Sequence, residues 1–241
     1  MAELFYRDPY LRECATQAVR HDEAGLVLAD TVCYPLGGGQ PGDTGTLRLA
    51  DGRSWPVLDT RRDRETREIL HQLPADAPRL APGTAVTLTL DWERRHRHMR
   101  MHTGLHLLGS LIKAGVTGGN LTDHGGRLDF DLGGLDVKLD ANELTADLQR
   151  LVAADTPLRV SHISGAELAA RPELIRTMSV TPPLHLPQIR LVEIEGVDLQ
   201  PCGGTHVART GEVGALRVSR IENKGSHNKR VAVTFADREQ P

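Results

Sequence analysis

The chain has 241 residues, of which 39% are hydrophobic and 25% charged, and a formal net charge of -3. This length allows one large domain or two small ones, and the composition excludes a wholly disordered chain. The negative balance excludes a protein held to nucleic acid by bulk positive charge, so any RNA contact must come from a local basic patch.

The three cysteines are odd in number and widely spaced, which is not typical of a disulfide framework. The first residues carry charges where a signal peptide needs an apolar run, and no stretch approaches the roughly 20 apolar residues of a membrane helix. We therefore expect a cytoplasmic protein with no membrane partner.

Up to Trp92 the sequence consists of short strand-like runs separated by glycine, proline and aspartate. This spacing predicts an all-β domain over residues 1–92, either barrel-like or a sandwich. The runs are TQAVRH (16–21), GLVLAD (25–30), TVCYPL (31–36), TGTLRLA (44–50), SWPVLDT (54–60), EILHQL (68–73) and TAVTLTLDW (84–92).

From Glu93 the pattern becomes helical. Met101, Leu105, Leu108 and Ile112 form one apolar stripe, and leucines on another side predict a helix buried on most of its surface.

The rest of this half predicts an α+β domain over residues 93–241, with a mostly antiparallel sheet. Asp140 and Ser164, each followed three residues later by glutamate, indicate the starts of two helices. The strand candidates are RLDFDL (127–132), LRVSHI (158–163), IRLVEIEG (189–196), ALRVSRIE (215–222) and RVAVTF (230–235).

The first helix carries a pair of histidines at metal-binding spacing. His102 and His106 lie at i and i+4, so both rings can reach one ion. Gly104 and Gly109 leave space near that face. His98 stands four residues before His102 and forms a rival pair, and spacing alone does not choose between the pairs.

A second cluster, Pro201-Cys-Gly-Gly-Thr-His206, repeats the four-residue spacing with Cys202 and His206 on a tight turn. One thiolate and three imidazoles suit tetrahedral zinc. Four protein ligands are typical of a structural site, whereas catalytic zinc usually keeps a position for water, so both uses stay open. The glutamate of an HExxH motif is absent, which disfavours peptide hydrolysis.

The densest glycine segment is CYPLGGGQPGDTG (33–45). Gln40 stands there among residues with almost no side chain, so it can project toward a ligand, although spacing alone favours an ordinary long turn. Basic residues concentrate at 93–100 and in an expected hairpin loop at 224–230, where either group can hold phosphates or be ordinary solvated charge.

These segments resemble the AlaX family of freestanding alanyl-tRNA editing proteins and the editing domain of alanyl-tRNA synthetases. The resemblance runs in family order across nearly the whole chain. It rests on residues 33–45, LDWERR with MHTGLHLL (90–108), RLDFDL (127–132), CGGTHV (202–207) and RIENKGSHNKR (220–230). A departure is Gly104, where many relatives carry alanine.

The resemblance implies that zinc is held by His102, His106, Cys202 and His206, with His98 outside the site, and that Gln40 faces an editing pocket. The implied activity is hydrolysis of the ester that joins serine, or glycine, to alanine tRNA, which clears errors that a synthetase cannot reject by binding alone. The length matches the intermediate type of the family, without room for an aminoacylation domain.

We accordingly expect Gln40, Thr103 and Thr205 to shape the pocket. The expected contacts to the acceptor end of the tRNA are Arg94, Arg95, Lys224, Asn228 and Arg230. We expect neither a DNA partner nor an obligate protein partner. The alternatives are editing of another tRNA, since threonyl synthetases carry a similar module, and a non-catalytic RNA-binding module with structural zinc.

Overall fold

The computed structural model describes residues 2–133, 135, 138–178, 184–225 and 227–236. The chain divides into two compact units, Met1–His98 and Met99–Pro241. The sequence-based domains, with their boundary after Trp92, stay a prediction. None of the helices in the described ranges is both long enough and apolar enough to span a bilayer.

The first unit is built mainly of strands. A one-turn helix, α1 (Leu4–Arg7), follows its first strand. The strands are β1 (Ala2–Glu3), β2 (Glu13–His21), β3 (Leu26–Leu28), β4 (Asp30–Thr31), β5 (Gly45–Leu49), β6 (Ser54–Val57), β7 (Asp59–Arg62), β8 (Ile69–Gln72) and β9 (Ala85–Leu90).

Most of these strands form one antiparallel sheet in the order β6-β5-β9-β2-β3-β8-β7. The strands at its two ends, β6 and β7, are consecutive in the chain and separated only by Leu58, so the sheet nearly closes on itself. In β9 the buried residues are Val86, Leu88 and Leu90, the alternation expected of a strand with one face on the core.

The run 31–36, predicted as a strand, is a strand only at Thr31. Local side chains take up its backbone donors instead, since Cys33 N donates to Thr31 Oγ1 and Tyr34 N donates to Asp43 Oδ2. These bonds hold the start of the glycine segment as an ordered loop.

Helix α2 (Trp92–Leu111) contains the junction between the units. Residues 101–109 are all buried, which confirms the prediction of a helix covered on most of its surface.

The second unit contains two antiparallel sheets, β10-β11-β16-β15 and β12-β13-β14. The mixture of helices with antiparallel strands confirms the predicted α+β class. The strands are β10 (Gly115–Leu121), β11 (Gly125–Asp131), β12 (Leu158–Ile163), β13 (Ile189–Ile194), β14 (Asp198–Pro201), β15 (Leu216–Asn223) and β16 (Asn228–Phe235).

Both predicted helix starts are confirmed. Helix α3 (Ala141–Ala153) begins after Asp140, whose side chain accepts from two backbone N–H groups. Helix α4 (Gly165–Ala169) begins with a complete capping box of Ser164 and Glu167. Strands β10 and β14 were not predicted.

Candidate metal centre

Helix α2 and the segment after β14 bring four metal-binding side chains together within the second unit. His102 and His106 come from α2, and Cys202 and His206 from the segment. One potential ligand atom from each lies within 4.8 Å of all the others. The three histidines are buried and Cys202 is partly exposed, so the cluster is largely but not completely shielded from solvent.

Two distances within the cluster agree with those of a tetrahedral zinc site. Bonds of about 2.0 to 2.3 Å in a tetrahedron place neighbouring ligand atoms about 3.3 to 3.8 Å apart. Cys202 Sγ lies 3.5 Å from His102 Nε2 and 3.2 Å from His206 Nε2. A thiolate with three imidazoles is also a donor set that zinc accepts. The cluster can therefore hold a metal ion.

Electrostatics within the cluster favour the thiolate. Burial alone raises the pKa of the Cys202 thiol, but the charges of the three histidines outweigh it and hold that pKa well below its usual value. Burial lowers the pKa of His106, whereas the Cys202 thiolate and the Asp198 carboxylate raise it to about 9. Burial together with the charge of His102 lowers the pKa of His206 to about 3. Cys202 is thus prepared as an anionic ligand.

The ring of His206 has a partner on the side away from the sulfur. Thr103 Oγ1 lies 3.1 Å from His206 Nδ1 and accepts a weak bond from Val207 N at 3.4 Å. Thr103 is fully buried. Its hydroxyl thus orients a potential ligand, in addition to any contact that it makes with a substrate.

A single arginine holds the backbone that carries Cys202. Arg190 Nη1 donates to the carbonyls of Cys202 at 2.7 Å and Gly204 at 3.0 Å. Cys202 N donates in return to Arg190 O at 3.1 Å. These bonds attach residues 202–204 to β13, so the segment that carries Cys202 and His206 is held in place.

The glycines of α2 differ in what surrounds them. A Cβ on Gly104 would lie 2.5 Å from Leu216 Cδ1, so the missing side chain admits a core leucine. A Cβ on Gly109 would meet only Leu128 Cδ1, at 3.8 Å. The space predicted at Gly104 is therefore filled by packing.

The remaining pocket candidates are buried. Gln40 belongs to the first unit, where it pairs through its backbone with Gly37. Thr205 lies within the ligand segment and is 1% exposed. Their roles toward a substrate stay predictions.

Arg95 requires a correction as an RNA contact. It has no exposed surface, and its guanidinium forms an ion pair with Asp43 and donates to the carbonyls of Val32 and Pro9. A side chain enclosed in this way cannot touch phosphate. Arg95 instead fastens the glycine segment to the beginning of α2, because Asp43 also accepts from Tyr34 N.

The other basic candidates are accessible to different degrees. Lys224 is exposed at the turn between β15 and β16, where Ser226 lies outside the described residues. Asn228 and Arg230 belong to β16 rather than to the turn; Asn228 accepts from Thr117, and Arg230 is paired with Asp129. Arg94 is half-buried and donates to Gly42 O. Lys224 is thus the most open of the set.

The comparisons with known proteins agree with this site. Residues 189–232, which include Cys202 and His206, match the family model described as the threonyl and alanyl tRNA synthetase second additional domain. An alanyl-tRNA editing protein AlaX-M of Methanosarcina barkeri is 35% identical over 242 residues, covering 97% of this chain and 98% of that protein. The chain belongs to the AlaX family.

Other relatives include both a freestanding editing protein and a tRNA ligase. The AlaX-M protein of Saccharolobus solfataricus is 33% identical over 236 residues and is covered to 98%. An alanine–tRNA ligase of Pyrobaculum calidifontis is 37% identical over 232 residues, which make up 25% of that enzyme. The AlaX chain thus resembles whole AlaX-M proteins and one part of a much longer ligase.

Sequence reasoning missed the residues that support the candidate metal-binding cluster. Asp198 and Gln200 lie beside His106, Arg176 is paired with Asp198, and Arg190 holds the segment of Cys202. An acidic residue four positions before the cysteine was an available signal, because metal-binding histidines commonly donate to carboxylates. Spacing does not reveal which histidine it meets.

Proposed function

We propose that this protein is a zinc-dependent trans-editing deacylase that hydrolyses the ester of mischarged Ser-tRNA(Ala), with Gly-tRNA(Ala) as a second candidate substrate. The observation that carries the proposal is the cluster of His102, His106, Cys202 and His206 in a chain that matches alanyl-tRNA editing proteins over nearly their full length. The reaction adds water across the ester and releases the amino acid and a tRNA with a free terminal hydroxyl.

His102, His106, Cys202 and His206 would hold the zinc ion, which would supply Lewis acidity to activate water or to hold the amino group of the substrate. Thr103 steadies His206, and Arg190 steadies the Cys202 segment. In this proposal residues 93–241 carry the chemistry, while residues 1–92 contribute Gln40, and Thr205 lines the pocket.

The tRNA contacts follow from accessibility. We assign the phosphate contact first to Lys224, because its ammonium is exposed. Arg94, Asn228 and Arg230 are partly exposed and supplement it. The acceptor end of mischarged alanine tRNA is the proposed partner, in the cytoplasm where charged tRNA is used.

Deacylation assays test the proposal directly. Zinc-loaded protein is mixed with Ser-tRNA(Ala), Gly-tRNA(Ala) or Ala-tRNA(Ala), with and without a chelator. We expect rapid loss of serine, abolished by the chelator, and slow loss of alanine. If zinc-loaded protein hydrolyses neither serine nor glycine from the tRNA, the deacylase assignment is wrong.

A second assay separates a deacylase from a non-catalytic RNA-binding module. Gln40→Ala is compared with Leu36→Ala, a substitution of an exposed residue in the same glycine segment. A deacylase with Gln40 in its pocket loses turnover in the first variant only and keeps its zinc in both. Tight tRNA binding by wild-type protein without any turnover would favour the binding module.

A further inference from the structure

Asp198 is a buried carboxylate that contacts the metal cluster without belonging to it. It stands at the start of β14, and its side chain has no exposed surface. Its Oδ2 lies 3.0 Å from His106 Nδ1. A carboxylate in such a position is costly unless it is paired and hydrogen-bonded, so its partners indicate what it does.

The hydrogen-bond chemistry around His106 fixes one tautomer of the ring. The Asp198 carboxylate can only accept, so the proton between the two groups belongs to His106 Nδ1. Gln200 Nε2 lies 3.2 Å from the same ring nitrogen but carries only donor hydrogens, and it donates to Asp198 Oδ2 at 2.6 Å. Nε2 of His106 is therefore the atom left for a metal ion.

Arg176 completes the arrangement. Its Nε lies 3.3 Å from Asp198 Oδ1, and its Nη1 donates at 2.6 Å to the carbonyl of Gly109 on the helix that carries His106. The guanidinium therefore balances the carboxylate and ties it to α2.

We infer that Asp198 is a positioning residue that holds His106 as a metal ligand through Nε2, with Gln200 and Arg176 holding the carboxylate in place. This inference rests on the metal binding of the proposed function, and not on the identity of the substrate. In this role the buried Asp198 carboxylate makes Nε2 of His106 a stronger metal ligand and fixes the orientation of the ring.

The first experiment measures zinc affinity in Asp198→Asn by competition with a chromogenic chelator. The amide cannot replace the carboxylate, because its NH2 group would face the donors of Gln200 or Arg176. We expect the dissociation constant for zinc to be about 10- to 100-fold higher than that of the wild-type protein. The absorption spectrum of the cobalt-substituted protein should change as well, since the direction of a ligand ring changes.

Asp129→Asn is the matched control. Asp129 is another largely buried carboxylate of the same unit, paired with Arg127 and Arg230 on the sheet. Asp129 contacts none of the four potential metal ligands. This variant should therefore lose stability while its zinc affinity stays within about twofold of wild type. Equal loss of affinity in the two variants would overturn the assignment.

A measurement on wild-type protein covers the case in which Asp198→Asn fails to fold. Histidine-selective nitrogen NMR of the zinc-loaded protein reports which ring nitrogen of His106 carries the proton. A protonated Nδ1 supports the inference, and a protonated Nε2 overturns it. If the zinc results hold but wild type has no deacylase activity, the proposed function fails while the role of Asp198 stands.

Discussion

His71 is a buried histidine of the first unit that is held in its neutral form. Its Nδ1 lies 3.0 Å from Leu26 O, a pure acceptor, so this nitrogen carries the proton. Nε2 then accepts from the Thr31 hydroxyl at 2.8 Å. Burial lowers the pKa of His71 to about 4, because the enclosed ring cannot take a charge cheaply.

This gives a pH dependence of stability. The pKa of His71 is lower in the folded protein than in the unfolded chain, so its stabilising effect is complete above about pH 6.5 and is lost as the pH falls toward 4. We compare the free energies of unfolding of wild type and His71→Gln. As the pH falls through this window, the difference in favour of wild type should decrease by about 1.4 kcal/mol per pH unit.

Denaturant unfolding at several pH values measures this difference. His124→Gln, at an exposed histidine, is the control and should leave the pH profile of wild type unchanged. An advantage of wild type over His71→Gln that stays constant from pH 6.5 to 4 would show that His71 does not carry the effect.

At the residue scale, the sequence predicts the donors of the site better than their supports. His102 and His106 were found because a helix places i and i+4 on one face, which is local geometry. Asp198 lies 92 positions from His106, and Asp43 lies 52 positions from Arg95. Such pairings depend on the assembled fold, so the sequence alone does not predict that Arg95 lies in a buried ion pair instead of contacting RNA.

Helix α2 offers a matched pair of glycines for a test at the scale of the element. Replacing glycine by alanine inside a helix stabilises it by up to about 1 kcal/mol when there is room for the methyl group. Gly109 has that room, whereas a methyl on Gly104 would collide with Leu216, which is fully buried and cannot move freely. Overpacking of this kind typically costs about 1 to 3 kcal/mol.

We therefore expect Gly109→Ala to raise the free energy of unfolding by about 0.5 to 1 kcal/mol. Gly104→Ala should be less stable than Gly109→Ala by at least about 1 kcal/mol. Denaturant unfolding of zinc-loaded protein measures both. Equal changes in the free energy of unfolding for the two substitutions would mean that the Leu216 side chain can repack without loss of stability.

Elements were predictable where local signals agree with the fold. The capping residues of α3 and α4 predict both helices, and the strand-like run TAVTLTLDW (84–92), which follows proline and glycine, predicts β9. Strand β10 (GVTGGNL) was missed because glycines weaken the strand pattern. They are needed there: a Cβ on Gly119 would lie 2.8 Å from Leu128 Cδ2 on the paired strand. Strand β14 has four residues and is too short to show a period.

At the scale of the whole molecule, all four potential ligands belong to the second unit. Binding of a metal to the folded form alone stabilises the elements that supply its ligands, by mass action. Removing the metal should therefore act on the second unit, and the first unit contains none of these donors.

Hydrogen exchange with and without a chelator tests this division. We expect faster amide exchange on chelation in peptides from α2 after His98, from β13 and from residues 201–207. Peptides from β2 and β9, in the core of the first unit, should keep their protection. A uniform rise in exchange throughout both units would contradict the prediction.

The positions of the ligands along the chain also bear on the order of folding. His102 and Cys202 are separated by 100 positions, and α3 with several strands lies between them. The helical pair alone offers two ligands, and the other two arrive only after this long loop has closed, a step that costs about 4.7 kcal/mol of chain entropy in the simplest treatment. On a ribosome the centre can therefore be completed only after residue 206 has emerged, although the helical pair is available about 100 residues earlier.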